Sequence, residues 1–114
     1  MAAAGGGVVF IPWYATGFRA DAFAAALAQI APVALRYGAT EYGVYRSRDD
    51  RYRFLQTARF EDGVDFDRYW YGPEFSRFRG QHSSWYQVPV LHYWNDQVTA
   101  GAIEAEPVAG SPAQ

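Results

Sequence analysis

The sequence predicts an α+β domain with the element order β-α-β-β-α-β. Three observations carry this. Val8–Tyr14 (VVFIPWY) is nearly continuous in apolar residues, as in a strand buried on both faces. Two separate stretches repeat their apolar residues at helical spacing. Two alternating segments flank Asp49-Asp50, and a further apolar segment closes the chain.

The first strand contains Pro12, which has no N–H to give to a ladder, so a bulge or the strand end is expected there. Thr16 and Gly17 then open a helix on which Phe23, Leu27, Ile30 and Ala34 share one face. Asp21 lies in its first turn, where negative charge is favoured, Pro32 is expected to kink it or end its regular part, and Gly38 closes it. Strands are expected over Glu41–Arg48 and Tyr52–Glu61. On the second of these, Tyr52, Phe54, Gln56, Ala58 and Phe60 lie on one face and Arg53, Leu55, Thr57 and Arg59 on the other. After Asp62-Gly63, Phe66, Tyr69 and Trp70 have helical spacing, with Asp65 as the expected cap. Gly72-Pro73 breaks that helix, and Pro73 opens a second piece through Phe75, Phe78 and Arg79. Gln87–Trp94 is expected as the last strand.

This order is the ferredoxin-like split arrangement, a four-stranded antiparallel sheet with two helices on one face. Two helices cover one face only, while the strands carry bulky residues on both. The uncovered face therefore calls for a second copy of the sheet, packed in a two-fold homodimer. Residues 8–98 form the expected single domain, with flexible tails at 1–7 and 99–114.

With 114 residues the chain is long enough for one core and too short for two domains. Half of it is hydrophobic and 18% aromatic, which excludes global disorder and leaves many rings to be packed, paired or put to use. The net charge of −2 argues against a nucleic-acid surface. All ten basic residues are Arg, so Schiff-base lysine chemistry is excluded. The absence of Cys removes disulfides, thiolate metal sites and thiol nucleophiles. Two distant histidines make no metal motif, so no metal or cofactor is expected. No run is long enough for a membrane span, and residues 1–7 lack the basic start and apolar core of a signal peptide. A cytoplasmic protein is expected.

The element order, the apolar first strand and the segment FDRYWYGPEFSRFRGQH (Phe66–His82) resemble the dimeric α+β barrel superfamily. Within it the resemblance is to the antibiotic-biosynthesis-monooxygenase type of domain. It covers roughly Val8–Trp94, and the Phe66–His82 segment resembles the family's second helix, where an aromatic residue precedes a Gly-Pro break. The superfamily includes cofactor-independent monooxygenases of aromatic polyketides, polyketide cyclases and haem-degrading enzymes. When the Gly-Pro breaks are superposed, the haem-degrading branch's Asn, Trp and His positions fall at Pro12, Tyr69 and Phe78. None of the three residues matches, so haem degradation is not expected.

The resemblance implies a cofactor-independent monooxygenase or cyclase acting on a small aromatic or polyketide-like molecule between sheet and helices. An electron-rich substrate supplies the electrons for oxygen itself. His82 and Tyr69 are the candidate catalytic residues. A His with an ordinary pKa near 6.5 can take a proton. Trp13, Trp70, Phe78 and Trp85 are candidate ligand-lining residues and Arg59 a candidate anion holder. The alternative is a non-catalytic ligand-binding or structural dimer in which the aromatics simply pack and His82 is a surface loop residue. A pocket of roughly 300 Å³ or more with His82 or a tyrosine hydroxyl on its wall favours the enzyme. A space plugged by Trp70 and Phe78 favours the alternative.

Overall fold

The computed structural model describes residues 6–103. Strand β1 (Gly7–Tyr14) leads into helix α1 (Ala20–Ile30) and directly into a 3-10 helix (Ala31–Tyr37). Strands β2 (Ala39–Arg46) and β3 (Arg53–Phe60) form a hairpin. Helices α2 (Gly63–Trp70) and α3 (Pro73–Gln81) follow, and a short β4 (Tyr93–Asn95) ends the sheet. The sheet order is β2-β3-β1-β4, with every pairing antiparallel. This is the ferredoxin-like fold expected from the sequence, the broken second helix included.

The expected side-chain alternation holds on β3, where Phe54, Gln56, Ala58 and Phe60 are buried. They meet Val9, Ile11 and Trp13 of β1 and Phe23, Leu27 and Ile30 of α1 in one core. Pro32 lies in the first turn of the 3-10 helix, where its missing N–H is tolerated. Gly38 ends that helix at φ 105°, a conformation a side chain would strain, and its backbone passes so close to Asp65 that a Cβ would lie 2.7 Å from Oδ2.

Four local expectations are corrected. Gly7 belongs to β1, opposite Phe60, rather than to a tail. Pro12 does not interrupt β1, which stays paired with β3 through Pro12 opposite Leu55. The reason lies on the other edge. β4 pairs only with Val8–Phe10, and the next backbone link on that side is Gln87 N–H to the Tyr14 carbonyl, 2.8 Å. By the two-residue period, Pro12 presents its missing N–H to the gap between them. The expected strand Gln87–Trp94 accordingly shrinks to Tyr93–Asn95, because Pro89 cannot donate and the chain arcs off the sheet edge. The cap of α2 is Asp62, accepting from Val64 N–H at 3.0 Å, because the helix starts earlier than the spacing implied. Asp65 instead pairs with Arg68 within the helix, 2.9 Å.

All the helices pack on one face. The opposite face carries Val8, Phe10, Pro12, Tyr14, Tyr45, Leu55 and Tyr93, of which Pro12, Tyr45 and Tyr93 are exposed and the others half-buried. Expected tail residues 1–5 and 104–114 lie outside the described residues; residues 99–103 carry no regular structure. Among the described residues no helix is long and apolar enough to cross a membrane.

Candidate functional site

The helix-side aromatics expected to wall a pocket instead fill the space between sheet and helices. Trp13 is surrounded by Tyr86 at 4.9 Å between ring centres, Phe23 at 5.4 Å, Phe78 at 6.0 Å and Phe75 at 6.2 Å. Phe75 in turn meets Tyr69 at 4.7 Å and Trp70 at 4.9 Å. Such edge and tilted contacts are the favoured geometries for aromatic pairs. Trp70 and Phe78, 9% and 6% exposed, close the interior between them.

A buried polar chain runs through this cluster. Trp13 Nε1–H donates to Gln56 Oε1 at 3.0 Å, Gln56 Nε2 donates to the Tyr69 hydroxyl at 3.1 Å, and that hydroxyl donates to the Ile30 carbonyl at 2.8 Å. Every member is satisfied, so the network can be buried without orphaned donors. Burial also drives the Tyr69 pKa far above the usual phenol range, opposed in part by the Gln56 hydrogen bond. With its proton committed to a carbonyl, this hydroxyl holds α2 against α1 and the sheet and is poorly placed to exchange a proton with a ligand.

His82 caps the end of α3, its Nδ1 2.8 Å from the Phe78 carbonyl. A ring nitrogen facing a carbonyl carries the hydrogen, which leaves the Nε2 lone pair open. The ring rests on Phe78 at 4.7 Å and Trp85 at 4.5 Å, and Arg19 lies over Trp85 at 5.5 Å. His82 and Phe78 border a cleft of ≈ 220 Å³ between α1 and α3, whose walls also include Gln29, Glu74 and Arg77. This is smaller than an ordinary ligand site. Arg59 lies apart from all of these, on the helix-free face, where it pairs with Glu41 at 2.7 Å and also donates to Gln97. The structure thus gathers Trp13, Tyr69, Trp70 and Phe78 in one cluster, sets His82 and Trp85 at its α3 end, and leaves Arg59 outside.

The polar side chains at the other end of the cluster, Arg79 and His92, were not among the candidate site residues. Arg79 lies over Trp70 with its guanidinium carbon 4.2 Å from the ring centre, and over Phe75 at 5.0 Å. His92 packs on the same Trp70 at 5.1 Å and on Phe66 at 4.9 Å. Both are half-buried. Burial lowers the His92 pKa, against a smaller upward pull from Asp67, so the ring is neutral at pH 7. The signal that pointed to Arg79 was its place four residues after Phe75, on the face that α3 turns inward.

The larger cavities lie on the helix-free face. One of ≈ 580 Å³ fills the gap where the chain leaves the sheet edge, between Pro12, Tyr14, Leu55, Pro89 and Leu91. Another of ≈ 330 Å³ lies beside Val8, Phe10 and Asn95. At the first, the Tyr14 hydroxyl donates to Asp50 at 2.7 Å, which raises the pKa of Tyr14 and lowers that of Asp50. Among the described residues no group of three or more His, Cys, Asp or Glu is placed to hold a metal ion.

No family model matches the chain, and no curated protein sequence matches it either. Solved structures do. PA3566 from Pseudomonas aeruginosa superposes with a TM-score of 0.74 at 16% identity, covering 84% of this chain and 97% of that one. A mutant of SnoaB, a cofactor-independent oxygenase from Streptomyces nogalater, gives 0.71 at 17% identity over 85% and 97%. A Nitrosomonas europaea protein assigned to the antibiotic biosynthesis monooxygenases gives 0.71 at 17% over 85% and 96%. Identities this low speak for fold alone, and on that basis the chain has the α+β protomer fold of the antibiotic-biosynthesis-monooxygenase-like structures.

Proposed function

We propose that the protein is a two-fold homodimer that binds a small, planar, electron-rich aromatic or polyketide-like molecule and oxidises or cyclises it without a bound cofactor. The observation that carries this reading is the Trp70 rim. There an aromatic edge, a fixed cation and a neutral imidazole meet: Arg79 at 4.2 Å and His92 at 5.1 Å from the same ring. A flat ligand needs an apolar edge to lie against, and its activation needs a proton acceptor. His92, neutral and without a hydrogen bond among the described residues, can take a phenolic or enolic proton. The resulting electron-rich anion reduces O₂ itself. In a monooxygenation one oxygen atom enters the ring carbon, the other leaves as water, and the substrate supplies both electrons. The shared fold with a cofactor-independent oxygenase, over 85% of this chain and 97% of that one, is what suggests this chemistry.

The homodimer rests on the helix-free face, where half-buried and exposed apolar side chains are joined by two open cavities. A second sheet laid on this face covers both.

A second reading, a non-catalytic ligand-binding or structural dimer, is favoured by the filled interior behind Trp70 and Phe78. One experiment separates the two. Di- and trihydroxynaphthalenes are screened for binding by thermal shift and for oxygen consumption with an oxygen electrode. The enzyme reading expects uptake that is lost in His92→Phe. Binding without uptake leaves the ligand-binding dimer, and neither binding nor uptake leaves the structural one.

A further inference from the structure

The only buried side-chain nitrogen or oxygen without a hydrogen-bond partner among the described residues is Nη1 of Arg79. Arg36, Arg46, Arg53, Arg59 and Arg68 each have a carboxylate within 4 Å; of the five arginines without one among the described residues, Arg19, Arg48, Arg51 and Arg77 are exposed and Arg79 alone is half-buried. Its guanidinium carbon lies over two rings, 4.2 Å from the centre of Trp70 and 5.0 Å from that of Phe75. The neighbouring oxygens do not serve it. The Tyr69 hydroxyl is engaged by Gln56 and Ile30, and the Tyr86 hydroxyl donates to Arg79's own carbonyl at 3.2 Å.

A stacked guanidinium presents its N–H groups at its edge, in the plane that matches two oxygens of one anion. A charged donor left unpaired in a desolvated place is costly, so a protein that keeps one there has a use for it or a missing partner. Arg79 as a residue is half-buried, with Nη1 on its buried side. The same Trp70 ring also carries the imidazole of His92, 5.1 Å between ring centres.

We propose that Arg79 is a substrate-binding residue that takes an oxyanion of the ligand, so that the substrate class is a planar aromatic acid: a carboxylate, or a phenol or enol ionised on binding. This deepens the reading of the Trp70 rim and rests on it. In a ligand ionised by His92, the same guanidinium would hold the negative charge so produced, which places proton acceptor and anion holder on one aromatic residue.

The probes are 2-naphthoate and its neutral isostere 2-naphthamide, titrated into the full-length protein by calorimetry or by ligand-observed NMR. The wild type should favour the carboxylate by about tenfold, as one charge-assisted pair would give. Arg79→Met should reduce that preference to under about twofold, and Arg79→Lys, which keeps the charge but not the planar fork, should retain part of it. The melting temperature of Arg79→Met should be unchanged or higher, since it removes a buried unpaired charge. Arg79→Gln is the second variant should the methionine change fail to fold. If naphthamide binds as tightly as naphthoate and the variants leave the ratio alone, the anion site is overturned while the aromatic-ligand reading stands. The anion site is equally overturned if Arg79→Met and Arg79→Gln lower the melting temperature sharply but keep the preference, because the cation is then structural. If neither naphthalene binds the folded wild type, both proposals fall.

Discussion

Tyr69→Phe is the sharpest test of the buried polar chain, because it removes one oxygen and little volume. That oxygen accepts from Gln56 Nε2 at 3.1 Å and donates to the Ile30 carbonyl at 2.8 Å. Its loss leaves a buried amide N–H without an acceptor and a carbonyl short of one donor. An orphaned buried group costs about 1–3 kcal/mol, and the carbonyl's second lone pair less, so the expected destabilisation is about 2–3 kcal/mol. Gln56→Leu should cost a similar amount, since it orphans Trp13 Nε1–H, which donates to Gln56 at 3.0 Å. The double variant should cost less than the sum by about 1–2 kcal/mol, because the bond between the two side chains is then absent from both sides of the cycle. Urea unfolding followed by far-UV circular dichroism at one fixed protein concentration measures all four corners, since dimerisation would make stability concentration-dependent. A Tyr69→Phe cost below about 0.5 kcal/mol, or additive effects in the cycle, would refute the claim that this hydroxyl ties the helices to the sheet.

Other outcomes follow from single contacts. Gly72→Ala should destabilise the break between α2 and α3, because a Cβ there would lie 2.6 Å from the Arg68 carbonyl oxygen and 2.8 Å from the Tyr37 hydroxyl; a melting temperature equal to wild type would contradict that packing. Leu55→Glu, on the helix-free face, should give a monomer near 12.8 kDa by light scattering where the wild type gives twice that mass. The low pKa of Asp50, held down first by the Tyr14 hydroxyl, is a source of stability present above the usual carboxylate range and lost as the pH falls through the folded value. Tyr14→Phe should therefore flatten the acid limb of a stability–pH curve, and an unchanged limb would show the bond contributes nothing. His92 has the opposite charge and the same direction: its pKa is lowered by burial, so its protonation weakens the fold as the pH falls below the usual histidine value. His92→Phe should remove that loss below the usual histidine value of about pH 6.5, as followed by urea unfolding.

How far the sequence reached differs from element to element. The β3 alternation, the α1 face through Phe23, Leu27 and Ile30, and the Gly72-Pro73 break were all legible, because each depends on residues within one or two turns of one another. The extent of β4 was not. Pro12 and Pro89 are far apart in the chain, and only pairing across the sheet shows that both sit along the same unpaired stretch of edge. Gln56 could be assigned to the inward face but not to its partners, since Trp13 and Tyr69 come from another strand and a helix.

The candidate site divides in the same way. The aromatic load and its concentration in Phe66–His82 follow from composition and order, and so does the apolar character of the second face of the sheet. Whether those rings leave a space or fill it is a matter of packing at the scale of a single methyl group, which no local pattern encodes. The tertiary structure decided that Trp70 and Phe78 close the interior, that Tyr69 spends its hydroxyl on the Ile30 carbonyl, and that Arg59 faces the other way. It also brought Arg79 and His92, thirteen residues apart in sequence, onto one indole. Period and propensity act along the chain and can be read there. Which cation is left without a counter-charge depends on every carboxylate that folding brings near, and that is settled only in three dimensions.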